Sequence, residues 1–117
     1  MHSLKPCPDT PNCVSSLAED SGHYIAPLNL DKSIQWPQTV VDILSSVRGI
    51  TIVTTNENYI HAECRTLLFR FIDDLELVWD AENNICHVRS ASRVGRSDLG
   101  VNRKRVEKIR HLLSGNT

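Results

Sequence analysis

At 117 residues the chain can fill one domain around one core and is too short for two of ordinary size. Its hydrophobic fraction of 40% is ordinary, no apolar run approaches the ~20 residues that span a bilayer, and membrane insertion is not expected. Formal charges sum to only −1, yet residues 89 to 110 carry eight cations against Asp98 and Glu107, a local charge of +6 that leaves −7 for the rest. That asymmetry implies either an anion-binding surface or a basic element docked on an acidic one within the same fold.

The first 33 residues hold Pro6, Pro8, Pro11 and Pro27 with little periodicity and read as an irregular arm packed on the domain. The start, Met1 to Cys7, lacks the apolar stretch of a secretory signal, so a full-length chain is expected in the cytoplasm. A processed or trimmed chain would instead fit an exported or membrane-associated setting. Residues 34 to 117 carry the regular elements. Val40, Val41, Leu44 and Val47 recur at helical spacing after Pro37, which a first helical turn tolerates, and Gly49 is placed to end that helix. Thr51 to Thr55 is almost wholly β-branched, and Asn56-Glu57-Asn58 supplies a turn. From Tyr59 to Arg65, Ile60, Ala62 and Cys64 alternate with His61, Glu63 and Arg65, as in a sheet with one buried face.

A third strand region, Leu67 to Trp79, keeps one apolar parity except at Asp73, which predicts a bulge or bend near Asp73-Asp74. Ala81 to Asn84 reads as a turn, Ile85 to Ser92 as a fourth strand, and Gly95 to Gly100 as a loop. Val106, Ile109 and Leu113 then mark a final helix, with Gly115 past its end. The expected fold is α+β: a four-stranded antiparallel meander flanked by two helices that cover one face.

Within the basic segment, Lys108, Arg110 and His111 belong to the end of a helix, where cations favour the dipole and need no function. Glu63, Asp73, Asp74 and Glu76 could take Arg89, Arg93 or Arg103 as internal partners. Arg103, Lys104 and Arg105 resist that reading, because they fall in the first turns, where a cation costs about 0.3 to 1 kcal/mol if exposed. An anion at that helix start would reverse the sign, held by Arg93 or Arg96, Ser97 and free backbone amides. The expected ligand-binding set is Arg89, Ser90, Ser92, Arg93, Arg96, Ser97, Asp98, Asn102, Arg103 and Asp74. Neither glycine-rich nucleotide motif is present, which argues against a nucleotide hydrolase. The acidic remainder and 5% aromatic content disfavour nucleic acid.

Cys7 and Cys13, six positions apart, admit four readings: a disulfide, two ligands of a zinc site, a nucleophilic Cys13 with His23 as base, or small buried anchors. No cofactor or metal is expected, since the histidines are scattered rather than in ligand spacing. Cys64 and Cys86 share parity with strand apolar residues and read as free buried thiols. His61, on the polar parity with Glu63, reads as hydrogen-bonded or solvent-facing, and Trp36 and Trp79 as core residues.

Cys7-Pro8-x-x-Pro11-Asn12-Cys13-Val14-Ser15-Ser16, the Asp73-Asp74 pair, Arg89-Ser90-Ala91-Ser92-Arg93-Val94-Gly95, and Ser97-Asp98-x-Gly100-Val101-Asn102-Arg103-x-Arg105 together resemble the bacterial and plastid family called domain of unknown function 1499. The resemblance runs over nearly the whole chain. It implies a small α+β domain and brings no activity, cofactor or catalytic residue. Members often carry export or membrane segments ahead of this domain, whereas this chain starts directly at the cysteine arm. The functional expectation is a non-catalytic module binding a small anion or an acidic protein surface. The competing class is a hydrolase or transferase using Cys13, Ser90 or Asp74, with arginines as electrostatic stabilisers.

Overall fold

The computed structural model describes residues 4–31, 33–66, 71–94 and 100–114. Eight elements follow in order: β1 (Cys13–Ser15), β2 (Leu28–Asn29), α1 (Gln38–Ser45), β3 (Ile50–Asn56), β4 (Tyr59–Arg65), β5 (Ile72–Asp80), β6 (Ile85–Ser92) and α2 (Val101–Leu113). Strands β3 to β6 form the expected antiparallel meander, in spatial order β6-β5-β4-β3. The sheet nevertheless has six strands rather than four, because β1 and β2 both pair antiparallel with the outer edge of β6. Two segments of three and two residues are too short to show a period. They form because that edge would otherwise leave backbone donors and acceptors unpaired.

Alternation along the strands sorts the side chains. Ile60, Ala62 and Cys64 of β4, Leu75 and Leu77 of β5, and Cys86 and Val88 of β6 face Val40 and Leu44 of α1 and Val106, Ile109 and Leu113 of α2. Fully burying each Leu, Ile or Val contributes roughly 1.5 to 3 kcal/mol, so this layer dominates the stabilisation. Val14, Ile25, Leu28 and Leu30 of the N-terminal region complete the cluster. That region is therefore part of the core, not a surface wrapping. Trp36 and Trp79 stack at 5.8 Å on the partly buried rim.

The bulge lies elsewhere than the sequence suggests. β4 and β5 pair without interruption through Cys64↔Asp73 and Glu63↔Asp74, while the register shift falls between Ile52 and Thr54 of β3. Asp73 keeps its place on the helix-covered face because a partner there accepts it. Gly49 lies past the end of α1, in the turn entering β3, with φ of +91°. A Cβ there would sit 2.9 Å from the Arg65 carbonyl oxygen, so both conformation and space require glycine. Leu67 of the expected third strand, Gly95 and Gly115 lie outside the described residues.

Candidate functional site

The polar residues singled out by sequence divide between the two faces of the sheet. On the helix side, Asp73 is buried and accepts a 2.8 Å bond from Arg105 of α2. Arg105 also donates to the Asn102 side-chain oxygen at 2.7 Å and to Ser90 Oγ at 3.2 Å, and Ser90 Oγ donates to that same Asn102 oxygen at 2.7 Å. The Asn102 amide in turn donates to Ser92 Oγ at 3.0 Å and to the Asn12 carbonyl at 3.2 Å. Asn12 closes the network by donating to the Val94 carbonyl at 2.6 Å. Strands β5 and β6, helix α2 and the arm are thereby joined through one satisfied buried system.

This placement bears on several expectations. Ser90 and Asn102, two of the expected binding residues, are fully buried and bond to each other within the network. Arg103 donates to the Tyr24 carbonyl at 2.9 Å and the Gly22 carbonyl at 3.3 Å, and Arg110 to those of Pro27 and Ala26, both at 2.7 Å. Of the three cations in the first turns of α2, Arg103 answers to arm carbonyls and Arg105 to Asp73, while Lys104 is exposed. Two of the three charges behind the expectation of an anion there are thus matched within the fold. Arg96, Ser97 and Asp98 lie outside the described residues. The nucleophile candidates are committed as well. Cys13 is bonded to Cys7, with Cα atoms 5.7 Å apart, and has no thiol to ionise. The expected base, His23, is held by Asp20 at 2.7 Å and by the Thr10 carbonyl at 2.8 Å.

On the opposite face lies a cavity of about 610 Å³. Its floor is built by cross-strand register: His61 opposite Glu76, Glu76 opposite Arg89, and Asp74 opposite Ala91. Tyr59, Ser92 and Arg93 complete the strand side, and Lys5 and Pro8 of the arm form the other wall. Asp74 accepts from Arg93 at 2.8 and 2.9 Å and pairs with His61 Nε2 at 2.8 Å, while Arg93 reaches Glu63 at 2.8 Å. The Arg93 guanidinium, aided by His61, holds the Asp74 carboxyl below the usual carboxylate range against the opposing effect of burial. Tyr59 donates to Glu76 at 2.6 Å, and burial, followed by that carboxylate, pushes its phenol well above the ordinary value.

Arg89 differs in its partners from Arg93, Arg103, Arg105 and Arg110. Its side chain is only 13% exposed, its approach to Glu76 is 3.7 Å, and its bond to the Pro6 carbonyl is long at 3.4 Å. Its Nε is buried with no hydrogen-bond partner. A buried unsatisfied guanidinium donor is expensive, on the order of 1 to 3 kcal/mol or more for a charged group. Of the expected binding residues, Arg89, Ser92, Arg93 and Asp74 thus meet at one cavity. Sequence reasoning missed Lys5, Tyr59, His61 and Glu76 as neighbours of that site. The parity of β4 and β5 was the available signal, since it places His61, Asp74 and Glu76 on the polar face.

Among the described residues no cluster of three metal-ligating side chains occurs, and no helix is long and apolar enough to cross a membrane. Burial pushes the Cys64 thiol up to about 11 and the Cys86 thiol up to about 12, so neither ionises near neutrality. A family model described as protein of unknown function (DUF1499) matches residues 3–113. No curated protein and no solved structure matches the chain.

Proposed function

The chain thus belongs to the DUF1499 family, and we propose that it is a non-catalytic binding module that takes a small carboxylate- or phosphate-bearing molecule in the open-face cavity. The supporting observation is Arg89, a nearly buried cation on the cavity floor whose Nε lacks an acceptor. A carboxylate or phosphate entering the cavity would give this guanidinium the bidentate partner that the long contacts to Glu76 and the Pro6 carbonyl do not supply. Lys5 and Arg93 are the other cations of the site, and Arg93 is already held by Asp74 and Glu63. Asp74, Glu63 and Glu76 already hold Arg93, His61, Tyr59 or Arg89, which leaves few free acceptors for a cationic ligand.

Lys5, Arg89 and Arg93 balance Glu63, Asp74 and Glu76 in formal charge, so selection rests on local geometry rather than a long-range field. Inorganic phosphate and citrate are expected to raise the melting temperature more than chloride does at matched ionic strength. A ligand at a hundredfold its Kd stabilises by about 2.7 kcal/mol. Arg89→Gln should abolish the rise while leaving the fold intact. Equal responses to phosphate and chloride, or an unchanged response in Arg89→Gln, would refute the assignment.

A further inference from the structure

The segment that walls the cavity has little else to hold it. Residues 4–8 make no backbone-to-backbone hydrogen bond among the described residues. Their ties are the buried Leu4 side chain, the long Arg89 bond to the Pro6 carbonyl, and the Cys7–Cys13 disulfide. Lys5 and Pro8, which line the cavity, flank Cys7 on either side. The other half of the bridge is well anchored: Cys13 belongs to β1 and pairs with Ala91, itself a floor residue. One covalent bond therefore joins the arm wall to the sheet floor.

We propose that this disulfide is a redox latch on the cavity. The oxidised chain is the binding form, and reduction by a dithiol frees the arm wall and lowers anion affinity at least tenfold. The inference rests on the open-face cavity being the binding site, since the latch acts by keeping Lys5 over it and Arg89 shielded from water. The two sulfurs are unequal in access: Cys7 is half-buried, whereas Cys13 is 1% exposed. A dithiol thiolate would attack Cys7 Sγ, breaking the bridge and expelling Cys13 as a thiolate that takes up a proton. The second thiol of the reductant then attacks the mixed disulfide and releases Cys7, which is protonated in turn. Two electrons and two protons pass to the protein, and the reductant ends as its own disulfide. Cys64 and Cys86, buried in the core, take no part.

The test follows the Arg89 Nε–H signal by NMR in arginine-labelled protein, oxidised and after dithiothreitol, with inorganic phosphate titrated into each. Cys7→Ser serves as a permanently unlatched form, its folding checked by thermal melting. In the oxidised chain the Nε–H should exchange slowly with water and shift with phosphate. In the reduced chain and in Cys7→Ser its exchange should accelerate at least tenfold, and the phosphate Kd should rise at least tenfold. A reduced chain that binds within twofold of the oxidised one, or more tightly, overturns the latch. If phosphate moves the signal in neither form, the anion reading fails. Exchange then decides the latch alone, upheld by acceleration on reduction and overturned by its absence.

Discussion

Asp73 and Asp74 leave β5 in opposite directions, and the partners they meet separate the two faces of the sheet. Asp73 points under the helices, where Arg105, Ser90, Asn102, Ser92 and Asn12 form a network enclosed by apolar packing. Asp74 points to the open face, where Arg93, His61 and Glu63 form a second network bordering a cavity. Both contain an arginine paired with a carboxylate. Among the described residues, the one buried side-chain nitrogen left without a hydrogen-bond partner lies on the open side, at Arg89 Nε. A motif rich in arginine and serine thus divides between the two faces, Ser90 joining the buried network and Arg89 and Arg93 bordering the cavity.

Breaking the helix-side pair should have the largest effect on stability. Asp73→Ala leaves Arg105 buried without its countercharge, and unfolding measurements should show a loss of about 3 to 5 kcal/mol. Replacing both partners with apolar residues of similar volume should recover much of that loss, because the orphaned charge then disappears with its partner. A single variant as stable as the parent would show that Asp73 is solvated. Asn102→Ala comes next. It strips acceptors from Ser90 and Arg105 and a donor from the Asn12 carbonyl, for an expected loss of about 1 to 3 kcal/mol in the same assay. The change should leave phosphate binding on the opposite face unaltered.

The smallest expected effect belongs to the open face and is a pH dependence. The folded-state pKa of Asp74 is depressed below its unfolded value near 3.8. Its contribution is therefore present above that value and is lost as pH falls through the lower folded-state pKa. Melting temperature should fall as pH drops below about 4, and Asp74→Asn should flatten that part of the curve. An unchanged acid limb in the variant would show that other carboxylates carry it.

The regular strands were legible where one face is buried. Tyr59–Arg65 and Ile85–Ser92 take the bounds that alternation predicts, and Val106, Ile109 and Leu113 form the buried stripe of α2. β1 and β2 were not legible, since two or three residues carry no period and both exist by pairing with a distant edge. The expected bulge at Asp73 was a sound inference from an interrupted apolar face. It failed because the compensating cation, Arg105, lies 32 positions away in sequence. That carboxylates on neighbouring strands could hold Arg89 or Arg93 was legible as one of two alternatives, and the fold pairs Arg93 with Asp74 and Glu63 and brings Arg89 to 3.7 Å from Glu76. The reach of Arg103 to arm carbonyls was not, because backbone acceptors leave no trace in residue identity.

Sequence alone determined what depends on local period and chemistry: the meander, the two helices, the apolar face that buries them, and the concentration of guanidinium groups between residues 89 and 110. Tertiary structure decided which of those guanidiniums is satisfied. Whether a cation is a strut or is left short of partners depends on acceptors from strands, helix and arm that meet only when the chain is folded. Arg105 meets a buried carboxylate and Arg103 two backbone carbonyls, whereas Arg89 lines the cavity with its Nε buried and without a partner.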